Sequence, residues 1–214
     1  LRPDRFGAVP AQSVPSRPRG APRPTSVMPQ TAAAMFYQLY FQTPGVAEAE
    51  LGRDLHSTIR RLLYSGAGDG VAARAGLGHP GAVGMVPRSG GILTHAVDPP
   101  ELPRWLTPAD VEFYTAEFTR AGFRGGLNWY RNIDRNWELL APFAGARVTV
   151  PALYVAGDHD LVVRFPGMDQ LIPNLSRFVP NLRRTIMLPG CGHWTQQERP
   201  AEVNAAMLEF LKSL

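Results

Sequence analysis

Two stretches near the C-terminus place ionisable side chains where chemistry could use them. Pro151-Ala-Leu-Tyr-Val-Ala-Gly-Asp-His-Asp-Leu-Val-Val163 reads as an apolar strand running into a tight turn that presents Asp160. Leu188-Pro-Gly-Cys-Gly-His-Trp-Thr-Gln-Gln-Glu-Arg-Pro200 repeats the arrangement, and its turn presents His193. A carboxylate that accepts the proton of one imidazole nitrogen fixes the tautomer, leaves the other nitrogen as a base and steadies the imidazolium that forms. A carboxylate and then a histidine, at the ends of successive strands, has the form of the last two members of a nucleophile, acid, histidine series. The nucleophile should precede both. No small-x-Ser-x-small or small-x-Asp-x-small turn lies upstream of Asp160 between a strand and a helix, and His79-Pro80 is not the His-Gly-x-Pro turn that would offer an oxyanion amide. Two of three groups are visible.

Other candidates are weaker. Asp158 suits the satisfaction of backbone donors within its own turn, and His159 reads as a neighbour of the site. His56 falls in an amphipathic helix, while His79 and His95 fall in a loop-rich stretch, where surface or packing roles suit them. No His, Cys, Asp or Glu residues stand at a recognised metal-ligand spacing with a third partner. Cys191, the single cysteine, excludes an intramolecular disulfide and fits a reducing cytoplasm. It reads as a small side chain packed under the turn.

The elements that must carry these turns belong to an α/β protein. A hydrophobic content of 44% against 19% charged residues is globular composition, and no run of about 18 apolar residues suggests a membrane span. The net charge of +4 is scattered over Arg5, Arg17, Arg19, Arg23 and Arg183-Arg184, with none of the aromatic interleaving that nucleic-acid binding needs. Residues 6–14 read as a strand weakened by Pro10. Prolines at 15, 18, 22 and 24 then impose a loop. Residues 35–41 are strand or buried turn. Thr43-Pro44 opens a helix that keeps its spacing to Tyr64, and residues 65–104 form a long excursion without a period. Thr107-Pro108 opens a helix ending at Gly122. A helix over 127–140 puts Tyr130, Ile133, Trp137 and Leu140 on one face. Strand 148–156, a helix at 167–173, strand 184–188 and a helix over 200–213 close the chain in alternation.

Three longer motifs, in order, carry a likeness. Phe36-Tyr-Gln-Leu-Tyr-Phe-Gln42 with Pro44-Gly-Val-Ala-Glu-Ala-Glu-Leu51, Gly122-Phe-Arg-Gly-Gly-Leu-Asn-Trp-Tyr-Arg-Asn132 and Gly190-Cys-Gly-His-Trp-Thr-Gln196 resemble the soluble epoxide hydrolases of the α/β-hydrolase superfamily, bacterial, mycobacterial and vertebrate. The resemblance covers nearly the whole chain and is weakest over 65–104. It implies the C-terminal part of the α/β-hydrolase core sheet with a helical cap or lid insertion: partial core at 1–29, cap at 30–145 and core again at 146–214.

The resemblance further implies an aspartate that attacks an epoxide carbon to give an alkyl-enzyme ester, and a histidine–aspartate pair that activates water to release a vicinal diol. No cofactor or metal is involved. Asp160 matches the acid, His193 the base, and Tyr37 and Tyr130 the two lid donors to the epoxide oxygen. On residue type alone each tyrosine would be ordinary packing; Tyr40, Tyr64, Tyr114, Tyr154, Trp129 and Trp137 keep that reading. A phenol can donate a hydrogen bond while staying neutral at pH 7. The nucleophile elbow would sit upstream of Leu1, so the chain reads as an N-terminally truncated fragment, expected to be inactive and to fold poorly alone. Partners implied are a small epoxide, lipid epoxides included, and water, in a cytoplasmic detoxification role. A homodimer is compatible with the sequence without being required by it. Alternatives are a haloalkane dehalogenase, which would use Trp or Asn donors, a serine esterase, and a non-catalytic ligand-binding protein of the same fold.

Overall fold

Six consecutive residues, Ala152–Gly157, are buried without exception, the pattern of a strand covered on both faces. The computed structural model of the protein describes residues 5–16, 19–20, 22–75 and 83–214; Arg17, His79, Pro80 and the opening residues 1–4 lie outside them. In chain order the elements are β1 (Val9–Gln12), β2 (Ala34–Phe36), α1 (Tyr37–Tyr40), α2 (Val46–Leu51), α3 (Leu55–Gly66), α4 (Gly68–Ala75), β3 (Met85–Pro87), α5 (Pro108–Ala121), α6 (Arg124–Arg131), α7 (Ile133–Leu139), β4 (Ala152–Gly157), α8 (Met168–Leu171), β5 (Leu182–Leu188), α9 (Thr195–Glu198) and α10 (Pro200–Lys212). Two compact units result: Leu1–Pro18, Gly66–Ala72 and Phe143–Leu214 form one, Arg19–Ser65 and Ala73–Pro142 the other.

The first unit is built on a parallel sheet in the order β1-β4-β5. Val9 pairs with Ala152 and Gln12 with Val155, and Leu153 to Gly157 run beside Arg184 to Leu188 after an irregularity at Ala152/Leu153. Alternation along β4 sends Leu153 and Val155 into one core with Leu188, Val203 and Phe210, and Tyr154 and Ala156 into a second with Leu171 and Leu175. Each such side chain withdrawn from water contributes about 1.5–3 kcal/mol. Pro10 fits because Val9 and Ser13 supply N–H groups toward β4, which leaves the proline's missing donor on the other side of the strand. The three expected strands are present with shifted ends.

The second unit holds the antiparallel pair β2 and β3, registered Ala34 to Pro87 and Phe36 to Met85, and two apolar clusters. One gathers Phe41, Ala47, Leu51 and Leu127, the other Ile59, Leu106 and Val111. Residues 35–41 are strand and turn in succession, β2 then α1. The expected helix from Thr43 to Tyr64 is two helices. Thr43-Pro44 lies in a turn, Gly45 takes φ 88° before α2, and α2 stops at Gly52. Asp54 then accepts the Ser57 N–H at 3.0 Å and starts α3 afresh. The expected helix over 127–140 is likewise divided at Asn132, whose φ of −89° and ψ of 3° leave the helical region, while its side-chain amide joins its backbone N–H on the Asn128 carbonyl. The helix expected to open at Thr107-Pro108 is α5, and Thr107 and Asp110 cap it reciprocally. The excursion at 65–104 contains α4 and β3, and its first residues, Gly66–Ala72, group with the sheet. No helix among the described residues is long and apolar enough to cross a membrane.

Candidate active site

Asp160 stands three residues beyond β4, where the strand ends in a turn closed by the Asp160 N–H on the Gly157 carbonyl at 3.2 Å. Its Oδ1 accepts the Val162 N–H at 2.9 Å and faces His193 Nδ1 at 2.9 Å. The carboxylate is fully buried and the imidazole 28% exposed. Burial by itself would raise the Asp160 carboxyl. The His193 bond and charge, the Val162 N–H and the neighbouring Ser13 hydroxyl outweigh it and hold the group below its ordinary value. With Nδ1 committed to Asp160, Nε2 is the ring nitrogen left to act as a base. Asp158 does what its turn suggested and accepts the Gly190 N–H at 2.8 Å.

The loop carrying His193 is held by main chain. The His193 N–H donates to the Gly66 carbonyl at 2.8 Å, and the His193 carbonyl accepts the Ser13 hydroxyl at 3.1 Å. Gly157 and Gly192 are required by close approach: a methyl on Gly157 would collide with the Cys191 carbonyl, and one on Gly192 with the backbone of Ala67 and Gly68. Ser13 has φ 59°, the only non-glycine residue with positive φ among the described residues. The Val14 N–H reaches back to the Gln12 carbonyl at 2.6 Å, so Ser13 is the middle of a γ-turn. Its carbonyl accepts the Tyr154 hydroxyl at 3.0 Å. Cys191 is buried beneath the turn, and burial first, then the Glu198 charge, pushes its thiol up to about 12. That is no nucleophile at neutral pH.

In the other unit Tyr37 and Tyr130 meet edge to face, ring centroids 5.6 Å apart, and Phe41 packs against both, at 5.6 and 4.9 Å. Tyr37 is the first residue of α1, and its N–H donates to the Gly84 carbonyl at 2.8 Å. Its hydroxyl accepts from Gln38 Nε2 at 2.9 Å. Burial raises the Tyr130 phenol above its ordinary value, so it stays protonated as a donor. Tyr40 packs in the same cluster and gives its hydroxyl to Glu50 at 2.5 Å.

No family model matches the chain. Epoxide hydrolase B of Mycobacterium tuberculosis (strain ATCC 25618 / H37Rv) is 34% identical over 241 residues, covering all of this chain and 67% of that protein. The chain belongs to the epoxide hydrolase family. Epoxide hydrolase A of the same organism is 43% identical over 220 residues, again across the whole chain, which spans 64% of that relative's length. Among solved structures, an epoxide hydrolase from an endophytic Streptomyces superposes with a TM-score of 0.90 at 39% identity, covering 99% of this chain and 62% of that one. The chain carries the α/β-hydrolase fold over the part it spans.

The four residues expected to do chemistry thus fall into two pairs, Asp160 with His193 and Tyr37 with Tyr130. Ser13, Gln38, Gln42 and Glu198 carry no signal in residue type or spacing, and only their positions inside the quoted motifs or at a strand end mark any of them. One packing expectation fails. Trp129 is 79% exposed because α6 turns Leu127 and Tyr130 inward and its neighbour outward. Trp137 instead stacks with Arg19 at 3.9 Å and donates to the Gly20 carbonyl. His56 pairs with Glu112 at 3.3 Å on the surface. Among the described residues no group of three or more His, Cys, Asp or Glu could hold a metal ion.

Proposed function

We propose that this chain supplies the acid, the base and two oxygen donors of a cytoplasmic enzyme that opens epoxides to vicinal diols, and that the attacking carboxylate lies outside these 214 residues. The observation that carries the reading is the 2.9 Å contact of His193 Nδ1 with the buried Asp160, in a chain whose relatives are named epoxide hydrolases.

Attack of an aspartate oxygen on an epoxide carbon forms a C–O ester bond and breaks the ring C–O bond. Tyr37 and Tyr130 donate to the oxygen as charge grows on it, and one phenol gives it a proton. Two donors aimed at one developing charge act more strongly out of water than in it. His193 Nε2 then removes a proton from water as the oxygen attacks the ester carbonyl. Collapse of the tetrahedral species restores the carboxylate and frees the diol, and the proton carried by His193 returns to the tyrosinate. Asp160 steadies the imidazolium meanwhile. The paired tyrosines favour this over halide release, and Cys191 offers no thiol route.

The test is mass spectrometry of the His193→Gln variant, in the polypeptide that includes the attacking carboxylate, after exposure to styrene oxide. A stable adduct of the epoxide's mass is expected, and its absence overturns the two-step reading. The 214-residue chain alone is expected to form no diol from the same compound.

A further inference from the structure

The His193 loop is gripped by a carboxylate that the chemistry above leaves unused. Glu198, the last residue of α9, accepts three main-chain N–H bonds: Gly192 at 2.8 Å and Gly68 at 2.9 Å on Oε2, and Trp194 at 3.0 Å on Oε1. Two of those donors flank His193 in sequence. The third belongs to the first residue of α4, two residues after the Gly66 carbonyl that takes the N–H of His193 itself.

Three donors converging on one carboxylate are charge-assisted and stronger than neutral bonds. Removing the acceptor strands three amides in a loop where glycine backbones already touch, and an orphaned buried donor costs more than the bond it loses. Capping explains only part of this. The Trp194 bond could be read as an N-terminal cap of the four-residue α9, but Gly192 precedes that helix and Gly68 lies 130 residues away. What the three share is the backbone that sets the height and tilt of His193.

We propose that Glu198 is a positioning residue for His193: by clamping Gly192 and Trp194 to Gly68 it keeps Nδ1 on Asp160 and leaves Nε2 aimed at water. The inference rests on His193 being the base of ester hydrolysis. It predicts a defect confined to that step, because forming the ester requires the carboxylate and the tyrosines but no base.

The experiment is single-turnover kinetics with styrene oxide on the enzyme that includes its attacking carboxylate, comparing wild type, Glu198→Gln and Glu198→Asp. Glu198→Gln keeps the volume but turns one acceptor oxygen into a donor. It should leave ester formation within about twofold and slow ester hydrolysis on the order of tenfold, so that ester accumulates. Glu198→Asp, which keeps both oxygens, should recover part of the loss. Proton NMR of the same variants should show the hydrogen-bonded His193 Nδ1 proton weakened in Glu198→Gln at temperatures where the fold is intact. Equal slowing of both steps, or an unchanged hydrolysis rate and Nδ1 signal, overturns the proposal. Failure of His193→Gln to trap ester would instead overturn the underlying mechanism, and the NMR signal reports on Glu198 independently of that outcome.

Discussion

Gln42 Nε2 donates to the backbone carbonyl of Tyr130 at 2.9 Å, across 88 residues of sequence. The same amide donates to the Gln38 carbonyl at 2.8 Å, so one side chain ties the end of α1 to the helix that carries the second tyrosine. Gln42→Leu removes both bonds without adding charge. Stability should fall by about 1–2 kcal/mol, read from urea unfolding. In the enzyme, epoxide opening should slow while hydrolysis of preformed ester is spared. If the two steps fall together, Gln42 does not set the tyrosine pair.

Arg131, next to Tyr130, pairs with Glu48 at 2.7 Å, the two side chains 12% and 22% exposed. It also donates to the Phe41 carbonyl at 3.0 Å. The Arg131 hydrogen bond holds the Glu48 carboxyl down at about 2 from an ordinary 4.5. A carboxyl depressed on folding adds stability that is fully present above its unfolded value and is lost as pH falls through the folded one. The pair therefore contributes fully above about pH 4.5 and fades toward pH 2. Arg131→Met should lower stability at pH 7 and flatten the fall of stability between those two values. Unfolding curves across that range decide it, and a slope unchanged from wild type would refute the coupling.

Ser13 separates two effects at one position. Ser13→Ala removes the hydroxyl from the His193 carbonyl and keeps a Cβ at φ 59°; Ser13→Gly removes the hydroxyl and relieves the backbone, worth roughly 1 kcal/mol. The glycine variant should be the more stable of the two by thermal unfolding, while both should show the same slowing of ester hydrolysis. Recovery of that rate in Ser13→Gly would mean the hydroxyl is idle.

Gly68→Ala would drive a methyl into the Gly190 carbonyl. Overpacking of this kind costs about 1–3 kcal/mol, and here the displaced atoms are backbone of the His193 loop. A lower melting temperature with a weakened His193 Nδ1 proton signal is expected. Wild-type melting would show that the loop gives way freely.

The contact of Asp160 with His193 is legible in the sequence because an apolar run ending in a glycine-rich turn fixes where a side chain emerges without help from distant residues. The pairing of Tyr37 with Tyr130 is legible only through the motifs around them, since nothing local brings two distant tyrosines together. Ser13 left no pattern: a serine with positive φ looks like any serine until the γ-turn is seen. Glu198 depends on Gly68, which no periodicity places beside it. The breaks at Asp54 and Asn132 leave no mark on the apolar spacing, because spacing reports which face is apolar and not where the backbone leaves the helical region. Trp129 was misplaced for a related reason, since a large aromatic beside two inward residues must point outward.

At Gly157, Gly192 and Gly68 the layers supporting His193 touch through main chain and not through side chains. A contact between side chains can be renegotiated, one partner shrinking as the other grows. A contact between backbones has no such freedom. Saturation mutagenesis scored on folded protein should therefore find these positions intolerant of every alternative, while residues on the tyrosine-bearing unit accept exchange. Under the proposed function, adaptation to new epoxides would have to run through that second unit, with His193 carried along unaltered.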